Sequence, residues 1–141
     1  MVGKNDVRLN LEFKTNKIHY KGIEKQVMAM VADANLVNPV IYSSFNLESL
    51  RIARQIVADG QYCLLTDRRV NHPAEFIYKE HLSGLHLHHY QEASDVTERI
   101  WTVNNESDIR QLVLDGVAGI ITDNFELARK VRDSCKRIAI Q

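Results

Sequence analysis

The sequence predicts an α/β domain on a parallel sheet, and three observations carry that prediction. Short β-rich apolar runs alternate with longer segments of helical period. For most of the chain the runs start roughly 20 residues apart, the spacing of short βα units. No Pro/Gly/Ser linker or low-complexity stretch divides the 141 residues, so residues 1–141 read as a single domain.

The elements follow in order. Val7 to Phe13 alternates, with Val7, Leu9, Leu11 and Phe13 on one face. Ile23, Val27, Met30, Val31 and Ala34 then recur at helical spacing. Pro39 precedes the apolar run Val40-Ile41-Tyr42. Asn46 fits the N-cap of a helix carrying Leu47, Leu50, Ala53, Ile56 and Val57, and Gly60 fits the position after its last turn. Tyr62 to Leu65 is the third run, Pro73 to His81 a short helix, and Gly84 to His88 the fourth run. Ile100 to Val103 is the fifth. Asn104 or Asn105 caps a helix containing Ile109, Leu112 and Val113, with Gly116 behind it. Val117 to Ile121 is the last run. Asp123-Asn124-Phe125-Glu126 has the form of a capping box before a helix carrying Ala128, Val131 and Cys135. Between His88 and Ile100 the chain is too short for a crossover helix with its loops, so one helix of the pattern is expected to be missing or reduced. Six strands suit either a small open doubly wound sheet or part of a (β/α)₈ barrel, and periodicity does not choose.

Composition excludes several classes. Lysine plus arginine is 18 and aspartate plus glutamate is 18, so the net charge is zero. A surface that neutralises phosphates needs a cationic footprint, which argues against a nucleic-acid partner. Hydrophobic residues at 45% and charged residues at 26% match ordinary globular domains rather than disordered chains. No apolar run approaches a membrane span, and Met1 to Asp6 has no apolar signal region, so a cytoplasmic chain is expected. Cys63 and Cys135 form no CxxC pair and are expected to be reduced.

Functional side chains of parallel α/β folds gather at the C-terminal strand ends. Glu12 and Lys14 share a strand face there, and on spacing alone they are a surface ion pair. His86, His88 and His89 invite a metal reading, but no cysteine or carboxylate pattern accompanies them. A polar strand end or a substrate-lining imidazole is the better reading. Trp101 is the only tryptophan, and a lone Trp on an apolar strand is most often core. Asp67-Arg68-Arg69 reads as a solvated loop. The sequence has no Gly-rich phosphate loop, GxSxG, HExxH or CxxC.

Five motifs, in order and at similar spacing, resemble one family, the glycerophosphodiester phosphodiesterases. Leu9 to Lys14 resembles its "lniElK" strand, and Ser43-Ser44-Phe45-Asn46 its "SF(N/D)" strand end. Leu85 to His88 resembles its "LH" strand, Trp101 to Asn104 its WTVN signature, and Gly116 to Asp123 its "GVDGIITD" close. The resemblance runs from about Asp6 to Arg132. It implies a TIM-type barrel that hydrolyses glycerophosphodiesters to glycerol 3-phosphate and an alcohol with calcium or magnesium. Under it, Glu12 is a metal-binding carboxylate, Lys14 a catalytic lysine at the phosphate, and Phe45 and Trp101 line the substrate pocket. The family's His-Arg-Gly strand, its Glu-x-Asp pair and its His-Asp strand have no counterpart before Glu12. The resemblance therefore implies an incomplete barrel, the last six of eight units, with unpaired sheet edges near Leu9 and Ile120. Its expected partner is a further copy in a homo-oligomer or a missing N-terminal barrel segment. A longer parent with a membrane segment is left open. Activity is expected to depend on the missing motifs, the alternative being an inactive relative that acts as an oligomeric or ligand-binding domain.

Overall fold

The computed structural model describes residues 6–140. Its strands are β1 (Asn10–Glu12), β2 (Ile41–Ser44), β3 (Gln61–Thr66), β4 (Gly84–Leu87), β5 (Glu98–Ile100) and β6 (Gly119–Ile120). Its helices are α1 (Ile23–Asp33), α2 (Leu47–Ile56), α3 (Pro73–Glu80), α4 (Glu106–Leu114) and α5 (Phe125–Ile140). The strands form one sheet in the order β1-β2-β3-β4-β5-β6, and every pair is parallel. A doubly wound sheet reverses its strand order at a switch point, and this one never does. With right-handed crossovers, an unreversed order puts the helices on one face and leaves the other bare.

The bare face is concave. Phe45 follows β2 and Trp101 follows β5, yet their ring centroids are 5.5 Å apart. Three strand spacings in a flat sheet would separate them by roughly 14 Å. The sheet therefore curls, and the fold is an incomplete TIM-type barrel of six parallel strands.

The core lies between the convex face and the helices. Phe13, Tyr42 and Tyr62 stack at 5.9 and 5.6 Å between centroids, under Met28, Leu50 and Ala53. Leu85, Leu87 and Ile100 form a second cluster, and Ile109, Val131 and Cys135 a third. Each large side chain buried this way contributes about 2 kcal/mol. Cys63 and Cys135 are both buried and free, as expected.

Local signals set most helix ends. The Asn46 side chain accepts from the Glu48 amide at 3.0 Å, capping α2. Asn105 accepts from the Ser107 and Asp108 amides and caps α4, which decides between it and Asn104. Gly116 follows α4 at φ 76°, where a Cβ would be strained. No helix lies between β4 and β5, also as expected. The buried Glu98 carboxylate organises that loop instead, accepting from the Gln91 and Ala93 amides at 2.8 and 2.9 Å.

Other expectations are corrected. β1 is shorter than Val7 to Phe13, and Val7 is 53% exposed, because this end strand pairs only with β2 from Asn10 onward. β5 begins at Glu98 and stops at Ile100, where β4 stops offering partners at Leu87. The buried stripe of α1 runs through Glu24 and Met28, whereas Met30 is 71% exposed. Gly60 is not a left-handed cap: a Cβ there would fall 2.5 Å from the Tyr62 hydroxyl. Asn124, not Asp123, caps α5, accepting from the Leu127 amide at 3.1 Å.

Candidate functional site

Residues paired in a parallel ladder share a face. Glu12 pairs with Ser43 and Ser43 with Cys63, while Leu65 pairs with His86 and His86 with Arg99. These side chains alternate with Tyr42, Leu64, Leu85 and Leu87 of the convex core, so they occupy the concave side. At its C-terminal mouth the topology gathers the sequence candidates. Lys14 Nζ is 3.9 Å from Glu12 Oε1, with the lysine side chain 81% and the glutamate 31% exposed. Such an exposed pair contributes little to stability, which leaves both groups available to a ligand.

Phe45 and Trp101 meet edge to face across the mouth, and His88 stacks edge-on to Trp101 at 5.1 Å. The indole is not a core residue. Its Nε1 donates to the His86 carbonyl at 2.9 Å, which fixes the ring plane at the strand end. His88 also contacts His89, ring nitrogen to ring nitrogen, at 2.9 Å. Beside Trp101 a cleft of about 620 Å³ opens between the β4–β5 loop and α4, lined by His88, Tyr90, Asn104, Asp108 and Gln111. It lies beside the segment that lacks a helix. Asn104, freed from capping, accepts from the Thr122 hydroxyl and the Asp123 amide, both at 3.0 Å, and so ties the β5 end to the β6 end.

Sequence reasoning missed the support behind Lys14. Thr15, next in the chain, hydrogen-bonds Ser49 of α2. Ser49 donates to Glu24 of α1 at 2.6 Å, and His19 joins Glu24 at 2.9 Å. The Asn46 amide group donates to the Thr15 carbonyl at 3.1 Å, and Ser44 donates to the Phe13 carbonyl at 2.7 Å. Burial pushes the Glu24 carboxyl up, but hydrogen bonds from Ser49, from the backbone and from His19, with the His19 charge, outweigh it and leave the pKa below the ordinary value. A glutamate four residues before Met28 on an otherwise apolar stripe was the signal available in the sequence.

Below the mouth the concave interior is different. His86 is fully buried, and neither ring nitrogen has a hydrogen-bond partner among the described residues. Burial and, secondarily, the Arg99 charge push its pKa down to about 4. It is therefore neutral at pH 7 and sealed from solvent, not a substrate-lining group. The Ser43 hydroxyl is also buried without a partner. Arg99 lies across Gly119 with Nη1 3.8 Å from Cys63 Sγ. Burial raises the Cys63 thiol to about 11, so it is not a nucleophile at neutral pH. Arg68 and Arg69 lie exposed in the loop after β3, as expected of a solvated segment.

The residues present do not fit a divalent cation. Calcium or magnesium takes about six or more oxygen ligands. Among the described residues no three His, Cys, Asp or Glu side chains gather closely enough to hold a metal, and Glu12 is paired with Lys14. The three histidines do not form a metal site either. No helix among the described residues is long and apolar enough to cross a membrane.

Comparison with known proteins adds to this geometry. No family model matches the chain. It is 27% identical over 135 residues to a glycerophosphodiester phosphodiesterase of Caldanaerobacter subterraneus, covering 89% of this chain and 56% of the relative. The chain thus spans little more than half the length of the curated relatives it matches. A glycerophosphodiester phosphodiesterase from Parabacteroides distasonis superposes with a TM-score of 0.76 at 21% identity, over 92% of this chain and 58% of that one. An Oleispira antarctica phosphodiesterase solved with its product sn-glycerol-3-phosphate superposes with a TM-score of 0.74 at 20% identity, over 90% and 56%. These structures establish the barrel fold. In motif order, sequence and fold together, the chain is similar to glycerophosphodiester phosphodiesterases over part of their length.

Proposed function

We propose that this chain supplies the substrate-binding side of a glycerophosphodiester hydrolase. The observation that carries the reading is that the Lys14–Glu12 pair and the Phe45–Trp101 pair both stand at C-terminal strand ends of one curled sheet. The Lys14 ammonium meets the phosphate, where charge develops during displacement. The two aromatic faces pack against the glycerol carbons. Glu12 is only loosely paired with Lys14 at 3.9 Å, and a phosphate displaces it. A capture of glycerol 3-phosphate, the product bound by the Oleispira protein, is thus within the chemistry of this mouth.

Hydrolysis also needs an acid for the leaving alcohol and a base for water. His86 fills neither role, being buried and neutral. Glu12 alone does not make a metal site. These facts favour a second reading, a ligand-binding relative without turnover of its own.

Trp101 is the only tryptophan, so its fluorescence reports on the mouth directly. Titration with sn-glycerol 3-phosphate is expected to give a saturable change, weakened about tenfold or more in Lys14→Ala, the loss of one charge-assisted contact. A signal that does not saturate, or a Lys14→Ala variant that binds as well, overturns the proposal. A parallel assay follows glycerol 3-phosphate release from a glycerophosphodiester with calcium or magnesium, beside Glu12→Ala. Turnover lost in Glu12→Ala supports a hydrolase. Binding without turnover supports the second reading.

A further inference from the structure

The loop between β1 and α1 carries a pattern that the mouth does not explain. From Phe13 to Gly22 it holds Lys14, Lys17 and Lys21 and no acidic residue, in a chain whose net charge is zero. Asn16 to Gly22 are all exposed. Ile18 and Tyr20 stand between Lys17 and Lys21 and are 60% and 59% exposed. Among the described residues no carboxylate lies within ion-pair distance of Lys17 or Lys21. Glu12, before the loop, pairs with Lys14 at 3.9 Å, and Glu24, after it, is buried against Ser49 and His19. The loop is also anchored at both ends. The Tyr20 carbonyl accepts from the Ile23 amide at 3.0 Å, His19 joins Glu24 at 2.9 Å, and the buried Thr15 bonds Ser49. Singly exposed apolar side chains are ordinary surface. An isoleucine and a tyrosine held outward between lysines have the composition of a contact with a bilayer interface, where the phenol ring sits at headgroup level and ammonium groups meet lipid phosphates.

The rest of the C-terminal rim sets the direction of approach. Phe45, 39% exposed, follows β2 on this rim. Arg68 and Arg69 are exposed after β3, beside Asp67. At the other end of the sheet, residues 101–109 and 121–126 carry Glu106, Asp108, Asp123 and Glu126 and no lysine or arginine. The rim is thus cationic near β1 and anionic near β6. A negatively charged surface attracts the first and repels the second, so Lys17, Ile18, Tyr20 and Lys21 meet it foremost. Lysine is depleted from protein–protein interfaces, whereas at a bilayer its apolar stem lies along the acyl boundary and its ammonium stays wet. The lysines therefore favour a lipid surface over a protein one.

We propose that the β1–α1 loop is a docking site for an anionic phospholipid bilayer. Ile18 and Tyr20 enter the headgroup region, and Lys17 and Lys21 contact lipid phosphates on either side of them. This inference does not depend on the mouth binding a phosphodiester, since it rests on the exposure, charge and anchoring of the loop.

The test is flotation of the purified chain with vesicles on a density gradient, which leaves aggregates at the bottom. Vesicles of phosphatidylcholine alone are compared with phosphatidylcholine containing about one third phosphatidylglycerol. Binding to the anionic vesicles at low salt is expected to be about tenfold tighter or more, and the preference is expected to fade as salt is raised. Lys17→Ala combined with Lys21→Ala is expected to weaken it about twentyfold, roughly fivefold for each charge. Ile18→Ser combined with Tyr20→Ser keeps the charges and is expected to weaken it about tenfold. All four positions are exposed, and circular dichroism checks that each variant keeps its fold. Tyr20→Trp is expected to bind and to shift its emission to the blue on anionic vesicles, beyond any change that Trp101 shows in the unsubstituted chain. Flotation that is equal on both vesicles, that survives the loss of both lysines, or that leaves the Tyr20→Trp emission unmoved overturns the proposal. So does a chain that stays at the bottom with both, which leaves the loop to an acidic protein surface.

Discussion

Ser43 and Ser44 are neighbours on β2 and both are fully buried, yet they face opposite sides of the sheet. On the helix side Ser44 donates to the Phe13 carbonyl and accepts from the Asn46 amide. The same side holds Thr15, Ser49, Glu24 and His19 in one continuous network. On the concave side Ser43, His86 and Arg99 sit together without a comparable set of partners. A folded domain pairs nearly all its buried polar groups. The polar network of the helix side is thus finished within the described residues apart from Arg54 Nε, while Ser43 and His86 of the concave side have no partner among them.

The largest expected effect tests the finished side. Glu24→Leu leaves the buried Ser49 hydroxyl without its acceptor and breaks the network that runs on to Thr15, and is expected to cost about 3 kcal/mol, read by urea unfolding. The glutamate's contribution is present above its unfolded pKa and is lost as pH falls through its lower folded value, so it fades only in acid below about pH 4.5.

Acid acts on the unfinished side in a different window. His86 has a folded pKa of about 4 against an ordinary 6.5. Between those values the unfolded chain binds the proton and the folded chain refuses it. Stability is therefore full above pH 6.5 and falls progressively toward pH 4, by about 3 kcal/mol in all. His86→Leu is expected to remove that slope and to be neutral or stabilising at pH 7, because two unpaired nitrogens disappear. A slope that persists in His86→Leu would place the titration elsewhere.

The two serines give the smallest and sharpest contrast. Ser44→Ala is expected to cost about 1 kcal/mol and Ser43→Ala less than about 0.5 kcal/mol.

Much of the architecture is legible because it is encoded locally. Asn46, Asn105 and Gly116 end their helices by contacts within three residues of themselves. The shortage of residues between His88 and Ile100 announces the absent helix by length alone. Gly60 misled because its constraint comes from the Tyr62 hydroxyl folding back onto it rather than from its own φ. Met30 misled because helical period places an apolar stripe only to within one neighbouring face, and packing chose the stripe with Glu24 and Met28.

Local pattern and motif order thus determined that this chain makes parallel βα units, and named Glu12, Lys14, Phe45 and Trp101 at the strand ends. Tertiary structure decided that the strands run in unreversed order and curl, since curl is a property of six ladders acting together and of no single strand. Curl brings Phe45 to Trp101 across three strand spacings and gathers Ser43, His86 and Arg99 in one interior. It also leaves that interior open on one side, because the number of strands, and not their individual character, determines whether a barrel of this curvature closes.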